Sequence, residues 1–115
     1  MAQTILIVED EAIVGLDLAM QLEDEGYECL GPVGTVEEAL ALLEEQPPDL
    51  AVLDANLDGA TSAPVAERLQ AMQRPFVYVS GYGERGALEQ LPEAPLISKP
   101  LKFDRLATLI RELLA

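Results

Sequence analysis

The sequence predicts an α/β fold: a five-stranded parallel sheet covered by helices on both faces. Three observations predict it. Short aliphatic runs alternate five times with stretches of helical periodicity, the order that builds right-handed strand–helix–strand crossovers. The first run, Ile5-Leu6-Ile7-Val8, is apolar throughout rather than alternating, as a strand buried on both faces must be. Polar and charged residues follow several of the runs directly, where open parallel sheets bind their ligands. The 115 residues suit a single domain, 1–115, and half of them are hydrophobic, enough to build a core.

After the first strand, residues 11–25 carry a helical pattern that stops at Gly26, a natural helix terminator. Val14, Leu18 and Leu22 form an apolar stripe on it, which widens the core face or marks an interface. A weaker second strand, 27–33, is broken by Gly31 and Pro32. Thr35 and Glu38 form a capping box for the next helix, whose stripe is Val36, Leu40 and Leu43. Pro47-Pro48 end it. The third strand is 50–53, followed by a polar loop from Asp54 to Thr61. Ser62 and Pro64 mark a helix start, with Val65, Leu69 and Met72 on its apolar side. The fourth strand is 76–79. The segment after it holds Gly81, Gly83 and Gly86 and at most a short helix. The fifth strand is 96–98, and 102–114 is the clearest helix, with Phe103, Leu106, Ile110 and Leu113 on one face.

Charge and composition exclude several functions. Twenty-one acids against seven bases give −14, and no basic cluster stands out, so direct nucleic-acid binding is disfavoured. There is no apolar run of membrane-spanning length and no basic flank of a signal peptide at the start, so a cytoplasmic protein without a membrane span is expected. The absence of histidine removes the usual zinc sites and the Ser-His-Asp and Cys-His hydrolases. The lone Cys29 reads as a small core residue. No Gly-x-x-x-x-Gly-Lys loop or Gly-x-Gly-x-x-Gly turn follows the first strand, so nucleotide modules of those kinds are excluded.

The strand ends carry the chemistry. Strand one ends in Glu9-Asp10, strand three in Asp54, strand four in Ser80 and strand five in Ser98-Lys99-Pro100. If these strands are neighbours, three carboxylates, a hydroxyl and an ammonium meet. Two carboxylates about 4 Å apart repel by roughly 4 kcal/mol at an effective dielectric near 20. One lysine does not balance three acids, whereas a hard divalent ion does, and oxygen-only ligands favour Mg²⁺. A carboxylate beside such an ion is a nucleophile suited to phosphorus, and phosphoryl transfer asks mainly for positioning and charge neutralisation.

Four stretches, Ile-Leu-Ile-Val-Glu-Asp-Glu (5–11), Ala-Val-Leu-Asp-Ala-Asn-Leu (51–57), Val-Ser-Gly (79–81) and Ile-Ser-Lys-Pro (97–100), together resemble the signatures of response-regulator receiver domains. The resemblance spans the whole chain, in order and with matching spacing. It implies a flavodoxin-like, CheY-like (βα)5 three-layer sandwich with strand order 2-1-3-4-5. It implies Asp54 as phosphoacceptor, Mg²⁺ or Mn²⁺ as cofactor, Asp10 as direct metal ligand, Glu9 acting on the metal through water, and Asn56 offering its backbone carbonyl. It further implies Ser80 as the switch hydroxyl, Lys99 as the phosphoryl-contacting lysine, and a cis bond between Lys99 and Pro100. Glu11 is treated as a helix-dipole or surface acid, and Asn56 and Asp58 also suit a turn before Gly59.

One position departs from the family pattern. Many receivers carry Tyr or Phe three residues before the lysine, and here Leu96 stands there. Val-Ser-Gly-Tyr-Gly resembles a subgroup with Gly and an aromatic after the switch hydroxyl, which makes Tyr82 the candidate gate of the site. The implied function is a switch rather than an enzyme. A histidine kinase or histidine phosphotransfer protein supplies the phosphoryl group, and an unknown downstream protein reads it. Homodimerisation is left open. The chain ends soon after its last helix, which suits a stand-alone receiver, and a receiver cut from a longer hybrid kinase or regulator fits the composition equally. A haloacid-dehalogenase phosphatase also forms an aspartyl phosphate. Asp54 is followed by Ala55-Asn56 instead of that family's Asp-x-Asp, and cap insertions are missing.

Overall fold

The computed structural model describes residues 2–81 and 91–115. Tyr82, Gly83, Gly86 and the short helix expected near them lie outside the described residues. In chain order the elements are β1 (Thr4–Val8), α1 (Ala12–Asp24), β2 (Glu28–Val33), α2 (Val36–Glu45), β3 (Leu50–Asp54), β4 (Asn56–Leu57), β5 (Ala60–Thr61), α3 (Ala63–Ala71), β6 (Phe76–Ser80), β7 (Leu96–Ser98) and a C-terminal helix (Phe103–Leu114). The main sheet runs β2-β1-β3-β6-β7, and each neighbouring pair is parallel. The strands β4 and β5 form a separate antiparallel ladder, so the main sheet has the expected 2-1-3-4-5 order.

Both faces of the sheet are buried, which is why its strands are apolar without alternation. Leu6, Val8, Leu53 and Tyr78 pack with Ala39 and Leu43 of α2 and Val65 and Leu69 of α3. Ile5, Ile7, Val52, Val77 and Val79 point the other way, onto Leu18 and Leu22 of α1 and Leu106 and Ile110 of the C-terminal helix. A period of two along each strand thus feeds two separate cores. Strand order reverses between β1 and β3, and that reversal opens a crevice at their carboxyl ends.

Local chemistry sets the element ends. Thr35 caps α2, its Oγ1 accepting from the Glu38 amide at 3.1 Å and donating to Glu38 Oε1 at 3.0 Å. Strand β2 is continuous where a break was expected, and the disturbance at Gly31-Pro32 appears instead as a register shift against β1. A Cβ on Gly15 would lie 2.6 Å from Pro32 Cβ, so only glycine lets α1 settle this closely on β2. The peptides Gly31–Pro32 and Lys99–Pro100 are both cis. The loop expected after Asp54 folds into the β4–β5 hairpin, with Asp58 (φ 51°) and Gly59 (φ 90°) as its left-handed pair.

The helix start expected at Ser62 and Pro64 is present: Ser62 directly precedes α3 and Pro64 lies in its first turn, although the Ser62 side chain makes no capping hydrogen bond, its backbone (φ −82°, ψ 10°) lacking the extended conformation such a bond needs. The Ser62 hydroxyl is fully buried and finds no partner among the described residues. On α1, Leu18 and Leu22 enter the core, but Val14 is 39% exposed, one turn nearer the strand ends. The exposed apolar stripe of α1 is a different one, made by Ile13, Leu16 and Met20.

Cys29 is half-buried and donates to the Ala19 carbonyl at 3.7 Å. Burial, helped by the Glu23 charge, pushes its thiol up to about 11, so it stays protonated and inert. Among the described residues, no helix is long and apolar enough to cross a membrane.

Candidate functional site

Three of the strand-end acids converge because β1 and β3 lie side by side, with Val8 paired to Leu53. Glu9 follows β1 and Asp54 closes β3, so the two emerge together; both are buried, whereas Asp10 is exposed. One carboxylate oxygen from each of Glu9, Asp10 and Asp54 lies within 4.8 Å of the others. The main chain of Glu9 is gripped from the far side, its amide donating to the Val33 carbonyl at 2.8 Å.

The hydroxyl and the ammonium arrive from β6 and β7. Ser80 closes β6 and is paired in register with Ser98, and the Lys99 amide donates to the Ser80 carbonyl at 2.8 Å. Lys99 is thereby aimed back across the sheet. Its Nζ donates to Asp54 Oδ2 at 3.0 Å and stands 3.8 Å from Glu9 Oε2. The Ser80 hydroxyl donates to the Gly81 carbonyl at 3.3 Å. Asn56 sits at the same rim. Its amide donates to Asp54 Oδ1 at 3.2 Å, while its side chain accepts from the Gly59 amide and builds the turn. Glu9, Asp10, Asp54, Asn56, Ser80 and Lys99 are thus gathered at one end of the sheet, and Tyr82 lies outside the described residues.

Electrostatics at this site are dominated by crowding. Burial pushes the Glu9 carboxyl up to about 7, and facing Asp54 adds to the rise, against the pull of the Glu11 amide and Lys99. Burial alone would lower Lys99. The hydrogen bond to Asp54 and the charges of Asp54, Glu9 and Glu11 outweigh it and hold the ammonium above its ordinary range.

The Glu9 shift carries a pH prediction for the metal-free protein. A folded carboxyl at about 7 against an ordinary 4.5 favours the protonated form, so its stabilisation is present below the ordinary value and is lost as pH rises through about 7. The melting temperature in EDTA is expected to fall by several degrees between about pH 5 and pH 8, and Glu9→Gln to flatten that slope. An equal slope in thermal scans of Glu9→Gln would reject this assignment.

Sequence reasoning missed one residue here. Tyr78 is buried on β6, two residues before Ser80, and its hydroxyl donates to the Pro92 carbonyl at 2.6 Å. Burial pushes its phenol up to about 12. The bond ties the strand that carries Ser80 to the segment leading into β7. A lone tyrosine in an otherwise apolar strand was the available signal, since buried phenols seek a partner.

A comparison with known families supplies the identity, because the model of the response regulator receiver domain matches residues 5–111. The chain belongs to this family. As a receiver domain it is a phosphoacceptor module of two-component signalling, a class that binds Mg²⁺ at an acidic pocket and takes its phosphoryl group from a kinase or phosphotransfer partner. Among curated relatives, the transcriptional regulatory protein PdtaR of Mycobacterium tuberculosis is 31% identical over 107 residues, covering 92% of this chain and 52% of that protein. The phyllosphere-induced regulator PhyR of Methylorubrum extorquens is 32% identical, covering 99% of this chain and 44% of PhyR. This receiver domain therefore spans about half the length of the curated relatives it matches. The solution structure of SdrG from Sphingomonas melonis Fr1 superposes with a TM-score of 0.84 at 37% identity, covering 99% of this chain and 98% of SdrG.

Proposed function

We propose that Asp54 is the phosphoacceptor and that the strand-end cluster is its reaction site. The observation that carries this reading is the contact of Lys99 Nζ with Asp54 Oδ2 at 3.0 Å inside a group of three carboxylates. That donor set, hard oxygens with excess negative charge, suits Mg²⁺ or Mn²⁺. Asp10, Asp54 and the Asn56 backbone carbonyl would hold the ion directly, with Glu9 acting through water. Bound there, it neutralises charge on the transferring group.

The chain's own residues do the rest. An Asp54 oxygen attacks phosphorus, the bond from phosphorus to the donor breaks, and the donor leaves with its electron pair. Lys99, already hydrogen-bonded to Asp54, passes to a phosphoryl oxygen, and the Ser80 hydroxyl turns to another. No general base is needed, in keeping with a sequence without histidine. Incubation with Mg²⁺ and acetyl phosphate, followed by intact mass and peptide mapping, tests this. An adduct on Asp54 is expected, and an adduct elsewhere or none at all rejects it.

We place the protein in the cytoplasm, with a histidine kinase or histidine phosphotransfer protein as donor and an unidentified protein as downstream target. The stripe Ile13, Leu16 and Met20 fits the donor. It lies on α1, whose first turn reaches the reaction site: Glu11 and Val14 line the same cavity of about 240 Å³ as Asp54 and Lys99. A phosphohistidine side chain reaches buried Asp54 only if its domain seats beside this rim. Ile13→Glu with Met20→Glu is expected to slow transfer from a kinase or phosphotransfer protein by tenfold or more, roughly the loss of one small apolar anchor pair. Labelling by acetyl phosphate should be unchanged. Equal loss with both donors would show a folding defect instead of a lost docking face.

A further inference from the structure

We infer that the cavity between the first turns of α1 and the carboxyl ends of β1, β3 and β6 is a binding site for a small organic amine with a compact hydrocarbon body. The inference concerns binding alone, so it stands whether or not Asp54 accepts a phosphoryl group.

The cavity holds about 240 Å³, and its walls come from the apolar side of the sheet and of α1: Ile7, Leu18, Val52 and Val79, all buried. Voids much larger than a water molecule are rare inside a packed protein. This one exists because short valines line it and because Val14, 39% exposed, stands at its rim instead of closing over it. Water has little to hold it there, since a bound water needs at least two polar partners and these four wall side chains offer none. A dry cavity of about 150 Å³ already takes benzene, so a six-carbon ring with a short arm fits here.

Charge selects the head group. Besides its apolar walls the cavity is lined by three carboxyl groups, Glu9, Glu11 and Asp54, and by one ammonium, Lys99. Lys99 is already held by Asp54 at 3.0 Å and stands 3.8 Å from Glu9. Glu11 is exposed and enters no ion pair among the described residues. A ligand ammonium beside it meets an uncompensated carboxylate, while the hydrocarbon it carries leaves water for the walls. An anionic ligand fits less well, because it faces three acids and a lysine already engaged, in a chain of −14. An uncharged hydrocarbon gains the walls but not Glu11. A helix of a partner protein, about 10 Å across with its side chains, does not enter a space of this size.

The test follows the methyl signals of Ile7, Val14, Leu18, Val52 and Val79 by NMR as cyclohexylmethylamine, an ammonium at neutral pH, is added to the full chain. Saturable shifts at these methyls are expected, with a dissociation constant on the order of 1 mM, within reach of so small a ligand. Glu11→Gln should weaken the amine about threefold, the size expected of one solvent-exposed ion pair. The uncharged cyclohexylmethanol should bind about threefold more weakly than the amine and be indifferent to Glu11→Gln. Asp24→Asn removes the same charge from the far end of α1 and should change neither ligand. Val14→Phe should fill the cavity from its exposed rim and exclude both. The inference is overturned if the amine gives no saturable shift up to about 20 mM, or if cyclohexanecarboxylate binds as tightly as the amine. It is also overturned if Glu11→Gln and Asp24→Asn act alike on the amine, or if Val14→Phe binds it as the parent does.

Discussion

Asp54→Asn is expected to abolish phosphoryl incorporation from acetyl phosphate and from a histidine donor, with no residual adduct by intact mass. The carboxamide keeps the shape of the side chain but loses the charge that makes oxygen nucleophilic. No other described carboxylate is buried beside a lysine ammonium at hydrogen-bond distance. A weak replacement is conceivable only at Glu9, whose Oε2 is 3.8 Å from Lys99 Nζ but whose carboxyl is pushed towards its neutral form. Labelling of the Asn variant at more than about a hundredth of the parental rate would therefore move the acceptor away from Asp54, since loss of the nucleophile should cost at least that much.

The same substitution reports on crowding. In EDTA it is expected to raise the melting temperature by a few degrees, because it removes one of two buried like charges and leaves Lys99 with Glu9. Mg²⁺ should stabilise the parent by mass action, and the Asn variant much less. A lower melting temperature for the variant, together with no Mg²⁺ effect on the parent, would count against the clustered-acid picture.

Much of this was legible in the chain itself, for definable reasons. A strand buried on both faces must be apolar throughout, so β1, β3 and β6 announced themselves and the residues closing them could be read as a site. The parallel order then brought Glu9, Asp54, Ser80 and Lys99 to one end. Other features depend on distances that periodicity does not carry. The outward stripe of α1 escaped notice because Ile13, Leu16 and Met20 interleave with Val14, Leu18 and Leu22, and only packing decides which set meets the sheet. Ser62 and Pro64 marked the start of α3, but residue type does not show whether the Ser62 side chain makes a capping bond, because that depends on its backbone angles. The whole-chain sum of −14 also averages away a local reversal, since residues 94–111 carry four bases against one acid.

Lys99→Met is expected to destabilise the metal-free fold through the loss of one charge. In the parent, buried Asp54 and Glu9 share one ammonium, at 3.0 and 3.8 Å. Methionine keeps the length of the stem and removes the charge, leaving two desolvated carboxylates facing each other. Breaking a fully buried pair in this way costs about 3–5 kcal/mol. A quarter of the Lys99 side chain is in water, so about 2–3 kcal/mol is expected here, a fall of roughly 10 °C in melting temperature. Lowering the pH should recover part of the loss by protonating Glu9, and Mg²⁺ should recover part by replacing the missing cation. The rate of labelling should fall about a hundredfold even at saturating Mg²⁺, the usual consequence of losing one donor to the developing charge. The double variant with Asp54→Asn separates cause from coincidence. With Asp54 neutral, Lys99 has only Glu9 to balance, and Lys99→Met should then cost under about 1 kcal/mol. Equal costs in both backgrounds would mean that Lys99 acts through the packing of its stem, and that its bond to Asp54 contributes nothing to holding the site together.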